Sequence, residues 1–525
     1  MRFRRATLAR ALALVIVAAV CAGRASATIG YTVSLAEPEN HLFHVTMTIP
    51  DVHSQVLVQM PAWNALYQIR DFSSRIEGLG ATSSTGSPPT VLKLDKQTWR
   101  ITGEGIINVA YRIYWDDAGP FSSQLSSVHA FMNLAEILMY IPDRRKEPVW
   151  LVLRGAPSHW VFKTALKPYD YSFWSGPPDR IVDGKPILPR VFVAQSYDEL
   201  VDAPVEGGSL QFFDLPGVAP PVHVVVHGEK WSKPELQDGL VKIVNYETQL
   251  MGGAPYSNYT FLLHIGADSS GGGGGMEHAN CTAIGAPNVG VALSTAAHEF
   301  FHLWNVKRIR PQSLEPVDYT KEMYTRALWF AEGVTSTYAS YTEVRTGMWS
   351  ADAFWEDLAE QIGDLQSRPA RAWESVEESS LNAWFEKYSQ YNRADVSISY
   401  YNKGQIDGVL LDLLIRDATD NKKSLDDVMR AMNEQFAKKG KFYDDSADIE
   451  AVAESVAGVS FKDFFAKYVA GTDEIPYDQF LAIAGMYTTV SSQDGTHLRY
   501  QILQMGKTSD KQRRIREGIL KGTTN

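Results

Sequence analysis

From Thr28 to about Ala194 the chain alternates apolar and polar positions in short runs. Examples are His44-Val45-Thr46-Met47-Thr48-Ile49, Gln55-Val56-Leu57-Val58-Gln59-Met60 and Asn108-Val109-Ala110-Tyr111-Arg112-Ile113-Tyr114. A period of two sends successive side chains to opposite faces, so these runs, separated by turn residues, predict antiparallel sheets. Residues 28–194 are read as a β-sandwich-like domain. A Gly/Pro/Asp-rich passage from Tyr197 to Pro221 marks a transition. Beyond it Ser232-Lys233-Pro234-Glu235 forms a capping box that opens a helix through Met251, and Tyr259 to Ile265 reads as a strand. After Leu293 the spacing becomes helical, over 294–306, 321–345, 351–367, 403–418, 424–438 and 460–469. No fixed-period repeat is visible. The fold class that follows is α+β and multidomain. Residues 195–345 form a mixed sheet-and-helix domain, 346–486 a helical part and 487–525 a short charged tail.

Composition narrows the function more than the fold. The 525 residues carry 50 Lys plus Arg against 61 Asp plus Glu, a net charge of −11. Phosphate neutralisation needs a basic face, so nucleic acid is excluded as a partner. Arg2, Arg4, Arg5 and Arg10 precede an apolar run from Ala11 to Ala22 and the small residues Ala25-Ser26-Ala27. That order predicts a signal peptide over 1–27 and export, to the periplasm or the medium. The apolar run falls short of the roughly 20 residues of a span. No later run reaches about 18 apolar residues, so no stable membrane insertion is expected. With Cys21 removed, Cys281 is the one remaining thiol and reads as buried filler.

The chemistry gathers between Gly274 and Tyr401. His298-Glu299-Phe300-Phe301-His302 is an HExxH motif. Residues four apart share a helix face, so His298 and His302 can reach one ion, and neutral imidazole suits zinc. Glu299, one step from the first His, is placed to act as general base on a water. A catalytic zinc takes a third protein ligand, for which Glu322 and Glu332 compete. Within one helix over 321–345 they cannot share a face. Glu332 lies in the apolar Trp329-Phe330-Ala331-Glu332-Gly333, where a buried carboxylate needs a partner. Glu332 is therefore read as the ligand and Glu322 as a residue of the helix start, with Ser294-Thr295 opening the metal helix. A phenol at Tyr400 or Tyr401 could donate to an oxyanion. The basic run Lys307, Arg308 and Arg310 is read as capping the metal helix.

HEFFHLWNVKRIRP (His298–Pro311), WFAEGVTSTY (Trp329–Tyr338), GGMEH (Gly274–His278) and SYYNKG (Ser399–Gly404) together resemble the glycyl aminopeptidase family of gluzincin zinc peptidases. Weaker likeness extends over roughly 28–486. The resemblance implies an N-terminal β domain, a thermolysin-like catalytic domain and one zinc ion on His298, His302 and Glu332. It also implies Glu299 and Tyr401 as catalytic residues, and Glu277, with Gly275 and Met276, as the binding site for a substrate's free α-ammonium. The expected partners are peptides with a free N-terminus, cleaved after small first residues such as Gly or Ala. Members commonly carry a PDZ-like module after the catalytic domain, and only about 40 residues follow Gly485 here. The chain also has Asn64-Ala65-Leu66-Tyr67 where a Pro-Gly-Ser-like turn is expected. Two rival readings share these residues: a thermolysin-like endopeptidase, which would cleave N-blocked peptides, and an exported binding protein with a vestigial metal site.

Overall fold

A computed structural model describes residues 28–64, 66–85, 87–173, 176–182, 185–266, 273–492 and 498–522. The signal peptide read over 1–27 lies outside the described residues. The chain forms two compact units, one from residues 28–64, 70–118 and 122–210, the other from 66–69, 119–121 and 211–522.

The first unit is built from sheets of seven, four and three strands and a two-stranded pair, Arg180–Val182 with Lys185–Ile187. Alternation is what makes them. In the strand Leu42–Val52 the side chains of Phe43, Val45, Met47 and Ile49 are buried, facing Ile107, Val109, Tyr111 and Ile113 of the antiparallel strand Gly105–Tyr114. The parallel pairing of Ile29–Ser34 with Val149–Arg154 departs from the otherwise antiparallel order of this sheet. The unit ends later than the sequence pattern places it. Val205–Gly208 pairs with His129–Met132, which draws residues 195–210 into the first unit.

The second unit centres on a five-stranded sheet of β1 (Gln211–Asp214), β2 (Val222–Gly228), β3 (Tyr259–Ile265), β4 (Gly274–Glu277) and β5 (Cys281–Ala286), in the order β1-β2-β3-β5-β4. The middle three strands run parallel and both edges antiparallel. Strand β3 is buried along its whole length, which is why it reads as an apolar run and not as an alternation. Helix α1 (Lys233–Leu250) begins at Ser232, whose side chain accepts from the Glu235 amide.

Helix α2 (Val289–Phe301) begins earlier than the sequence suggests. Its cap is Asn288, whose side chain accepts from the Val291 amide, and Ser294-Thr295 lie inside it. The helix expected over 321–345 is interrupted at its start. Residues 321–327 are irregular because Asp445 takes hydrogen bonds from the Thr325 hydroxyl and the Arg326 amide, while the Met323 carbonyl takes one from the Trp384 indole. Glu322 therefore opens no helix and lies exposed. Residues Trp329–Val334 form a π-turn that runs into α3 (Thr335–Arg345). Helices α4 (Ala351–Gln366), α5 (Tyr400–Ala418), α6 (Leu425–Gln435) and α7 (Asp445–Ala457) pack around this core. The tail is not loose: a hairpin (Met486–Ser492 with Leu498–Gln504) leads to α8 (Asp510–Lys521). This last helix buries Ile515 and Ile519, and the Ile519 carbonyl accepts from Arg345 Nε at 2.8 Å. Among the described residues no helix is long and apolar enough to cross a membrane.

Candidate metal centre

Helix α2 carries His298 near its end and caps at His302, so the two imidazoles lie one turn apart on one face and meet edge-on. Their Nε2 atoms lie 3.0 Å apart, and Glu332 Oε2 lies 3.4 Å from His298 Nε2 and 3.2 Å from His302 Nε2. Each ring is oriented through its other nitrogen. His302 Nδ1 sits 2.6 Å from the Asn305 carbonyl, which can only accept, so Nδ1 carries a proton and Nε2 is the nitrogen turned to Glu332. His298 Nδ1 lies 3.3 Å from Ser336 Oγ, and that hydroxyl donates to the Glu332 carbonyl. The Ser336 oxygen is then left to accept from His298 Nδ1–H, which again leaves Nε2 turned to Glu332.

The π-turn is what delivers Glu332. Asn305 Nδ2 donates to the Phe330 carbonyl at 2.8 Å and to Thr335 Oγ1 at 3.1 Å, so one side chain joins the metal helix's exit to both ends of the turn. Two glycines let the turn sit against α5. A Cβ on Gly333 would lie 2.5 Å from the Gly404 Cα, and one on Gly404 would strike the Trp329 carbonyl. The same backbone contact fixes the start of α5, capped by Ser399, and with it the two tyrosines. Tyr400 is buried among core residues, whereas Tyr401 is 38 % exposed, its ring centroid 6.2 Å from that of His298. Of the two phenols only Tyr401 faces the metal-ligand cluster.

Strand β4 is the free edge of the sheet beside α2. Gly275 and Glu277 face one way and Met276 the other, and a Cβ on Gly275 would land on the Glu299 carboxylate. Gly275 is thus where the general-base candidate passes beneath the strand. Met276 does not join the site as the sequence reading has it. Its side chain is buried in the core, and what it offers is its backbone, whose carbonyl accepts from Thr282 Oγ1 at 2.9 Å. His278 is also buried, Asn280 is exposed and Cys281 fills the core under β5. Arg308 spans the exit of α2, donating to the Leu303, Pro255 and Ala279 carbonyls.

The electrostatics follow from crowding three acids and two imidazoles. Burial lowers the pKa of His298 against the opposing hydrogen bond to Glu332. At His302 burial acts the same way but is outweighed by Glu332, and the value is pushed up to about 10. Burial alone would raise Glu332, yet the charge of His302 and hydrogen bonds from both rings hold it well below the usual carboxylate range. Glu299 goes the other way. Burial, only partly offset by His302 and reinforced by Glu277 and Glu332, raises its carboxyl well above the ordinary value. Its Oε2 is buried and has no hydrogen-bond partner among the described residues.

These residues fit a divalent cation. Donors about 2.0–2.1 Å from a tetrahedral zinc are separated by roughly 3.3 Å, and the three donor atoms here stand 3.0–3.4 Å apart. Two imidazole nitrogens and a carboxylate oxygen make up the donor set of a three-ligand zinc site, and Glu299, next to His298 in the chain, keeps a buried oxygen without a partner among the described residues. Sequence reasoning missed Asn305 and Ser336. Their only signals are positions, three residues after His302 and four after Glu332, with no motif of their own.

Residues 291–406 match the family model described as M61 glycyl aminopeptidase, and residues 30–209 match the peptidase M61 N-terminal domain. Among solved structures the chain is similar to an aminopeptidase N family protein from Idiomarina loihiensis. The two are 26% identical with a TM-score of 0.81, over 92% of this chain and 82% of that one. A variant of the M1 zinc metallopeptidase from Deinococcus radiodurans is 12% identical with a TM-score of 0.50, over 86% and 95% of the two chains, a likeness of fold. No curated protein matches.

Proposed function

From the premise that this chain belongs to the M61 glycyl aminopeptidase family, and so is a peptidase, we propose that it is a zinc aminopeptidase that removes small N-terminal residues from peptides. His298, His302 and Glu332 would hold the ion. When bound, zinc supplies Lewis acidity toward the scissile carbonyl and lowers the pKa of a coordinated water. Glu299 accepts the proton of the attacking water and returns it to the leaving amine, a task to which a buried carboxyl with a raised pKa is suited. The Tyr401 hydroxyl donates to the oxyanion that forms on the carbonyl. Glu277, on the free edge of β4, holds the α-ammonium one residue's length from the reacting bond, which fixes the register of cleavage. The export read over 1–27 would place this activity outside the cytoplasm.

The observation that carries the reading is the convergence of the His298, His302 and Glu332 donor atoms within 3.4 Å, with a buried, unpartnered carboxylate oxygen on Glu299, the residue next to His298. The test is hydrolysis of glycyl and alanyl amides, free and N-acetylated, with and without a chelator. Free-amine substrates should be cleaved and the chelator should stop it. Glu277→Ala should cost the free amines at least tenfold more in kcat/KM than the acetylated ones. Faster cleavage of the acetylated series by the unmodified protein would replace this reading with that of an endopeptidase.

A further inference from the structure

Tyr401 stands partly in solvent, its ring 4.7 Å from that of Tyr400 and 6.2 Å from that of His298 between centroids. A side chain placed this way is aimed chiefly by its backbone, so the first turn of α5 decides where the hydroxyl points. The first turn is also the part of a helix least held by its own hydrogen bonds, because its amides have no partner within the helix. Here the Asn402 amide reaches only the Ser399 hydroxyl, at 3.4 Å. The turn is gripped from outside on two sides. On one, Gly404 packs against Gly333 of the π-turn, with no room for a Cβ on either. On the other, Asn402 Nδ2 donates twice to Gln361 of α4, to its carbonyl at 2.9 Å and to its side-chain Oε1 at 2.7 Å. At about 100° per residue, positions 402 and 404 lie roughly 160° apart around the helix, and Tyr401 projects from the same turn.

The glycine contact sets how close the turn comes, and the directional bonds from Asn402 set its rotation. Gln361 is itself oriented. Its Nε2 reaches Asp357 Oδ1 at 3.5 Å, which leaves Oε1 turned to Asn402. Asp357 Oδ2 accepts from Gln405 Nε2 of α5 at 2.9 Å and from Ser340 Oγ of α3 at 3.0 Å. One set of hydrogen bonds therefore runs from the turn that bears Tyr401, through α4, to the helix that continues from Glu332.

We propose that Gln361 is a positioning residue for the oxyanion step, acting through Asn402 to hold the Tyr401 hydroxyl toward the substrate's carbonyl. This inference rests on the aminopeptidase reading and on the role given there to Tyr401. The experiment is a double-mutant cycle on the zinc-loaded full chain, with an alanyl amide as substrate. Tyr401→Phe, which removes only the hydroxyl, should lower kcat by about 10²–10³-fold, the cost of a lost oxyanion donor. Gln361→Leu, which keeps the bulk and removes the acceptor, should lower kcat at least fivefold with KM held within twofold, because the bond it supports forms only in the transition state. In the Tyr401→Phe background the same change should cost less than twofold, since no hydroxyl is left to aim. If Gln361→Leu does not fold, Asn402→Ala removes the donor instead and carries the same three expectations. A kcat loss below fivefold, a KM moved beyond twofold, or a loss of twofold or more in the Tyr401→Phe background overturns the assignment and leaves Gln361 a packing residue between helices. The two readings fail separately. An unmodified protein that cleaves no amide, or a Tyr401→Phe variant within tenfold of it, removes the reading of the site and this inference with it. A deficient Tyr401→Phe beside an additive or silent Gln361→Leu removes only the role of Gln361.

Discussion

At the scale of single residues the proposed chemistry depends on where Glu299 is allowed to be. Its carboxylate occupies the space a side chain at position 275 would take, so the edge strand and the base share one gap. Glu299→Gln should lower kcat by about 10²–10⁴-fold, the range of a lost general base, while bound zinc measured by metal analysis stays at one per chain. Activity within tenfold of the unmodified protein would rule out the assignment. Gly275→Ala tests the same gap from the other side, because displacing a reacting group by about 1 Å can cost roughly 10²-fold. The residues proposed for the chemistry are those that stand out most in the sequence, since HEFFH, WFAEG and YYNKG each pair a reactive side chain with a fixed spacing. Two residues exposed the limits of that legibility. Met276 belongs to the GGMEH motif, yet strand alternation turns it into the core. Tyr400 and Tyr401 are chemically equivalent in sequence, and only the helix rotation separates them.

Elements place those residues, and here the sequence was read less well. A π-turn has the composition of a helix, so the stretch from 321 to 345 looks continuous. The break comes from tertiary hydrogen bonds to Asp445, and the extra residue in the turn at 329–334 comes from packing against α5. The start of α3 differs from the expected span for that reason and that of α2 because Asn288 caps it, while α4, α5 and α6, with regular apolar spacing, lie close to their expected spans. Asn305 is the link between elements. Its backbone orients His302 and its side chain holds the turn that carries Glu332. Asn305→Ala removes only the second function, because the His302 contact is to the main chain. Zinc affinity, followed by competition with a chelator, should fall by about 10–100-fold, the usual effect of losing support behind a ligand, with the secondary structure unchanged by circular dichroism. Unchanged affinity would mean that the glycine contact between Gly333 and Gly404 positions Glu332 unaided.

For the whole molecule, the sequence order of strands then helices gave the α+β class, but the unit boundary and the docked tail were hidden. Both rest on long-range pairings, Val205–Gly208 with His129–Met132 and Ile519 with Arg345, that no local pattern announces. Long-range packing also sets the protein's response to pH. Glu343 on α3 is buried and is held by Ser294 of α2, whose hydroxyl donates to Glu343 Oε1 at 2.6 Å. Burial raises its pKa to about 7, the Ser294 hydrogen bond opposing and the charge of Asp357 adding to the rise. An acid whose folded pKa lies above its unfolded value binds more protons when folded. Its contribution is therefore fully present below the unfolded value of about 4.3 and is lost as pH climbs toward 7, by at most about 1.4 kcal/mol per pH unit. Glu343→Gln removes the titration while keeping a side chain of the same shape. Its urea-unfolding free energy should fall less steeply than that of the unmodified protein between pH 5 and 7, and the two slopes should agree above pH 8, where Glu343 is ionised in both states. Parallel curves across the lower window would mean that Glu343 is already charged in the folded protein, with Ser294 compensating its burial.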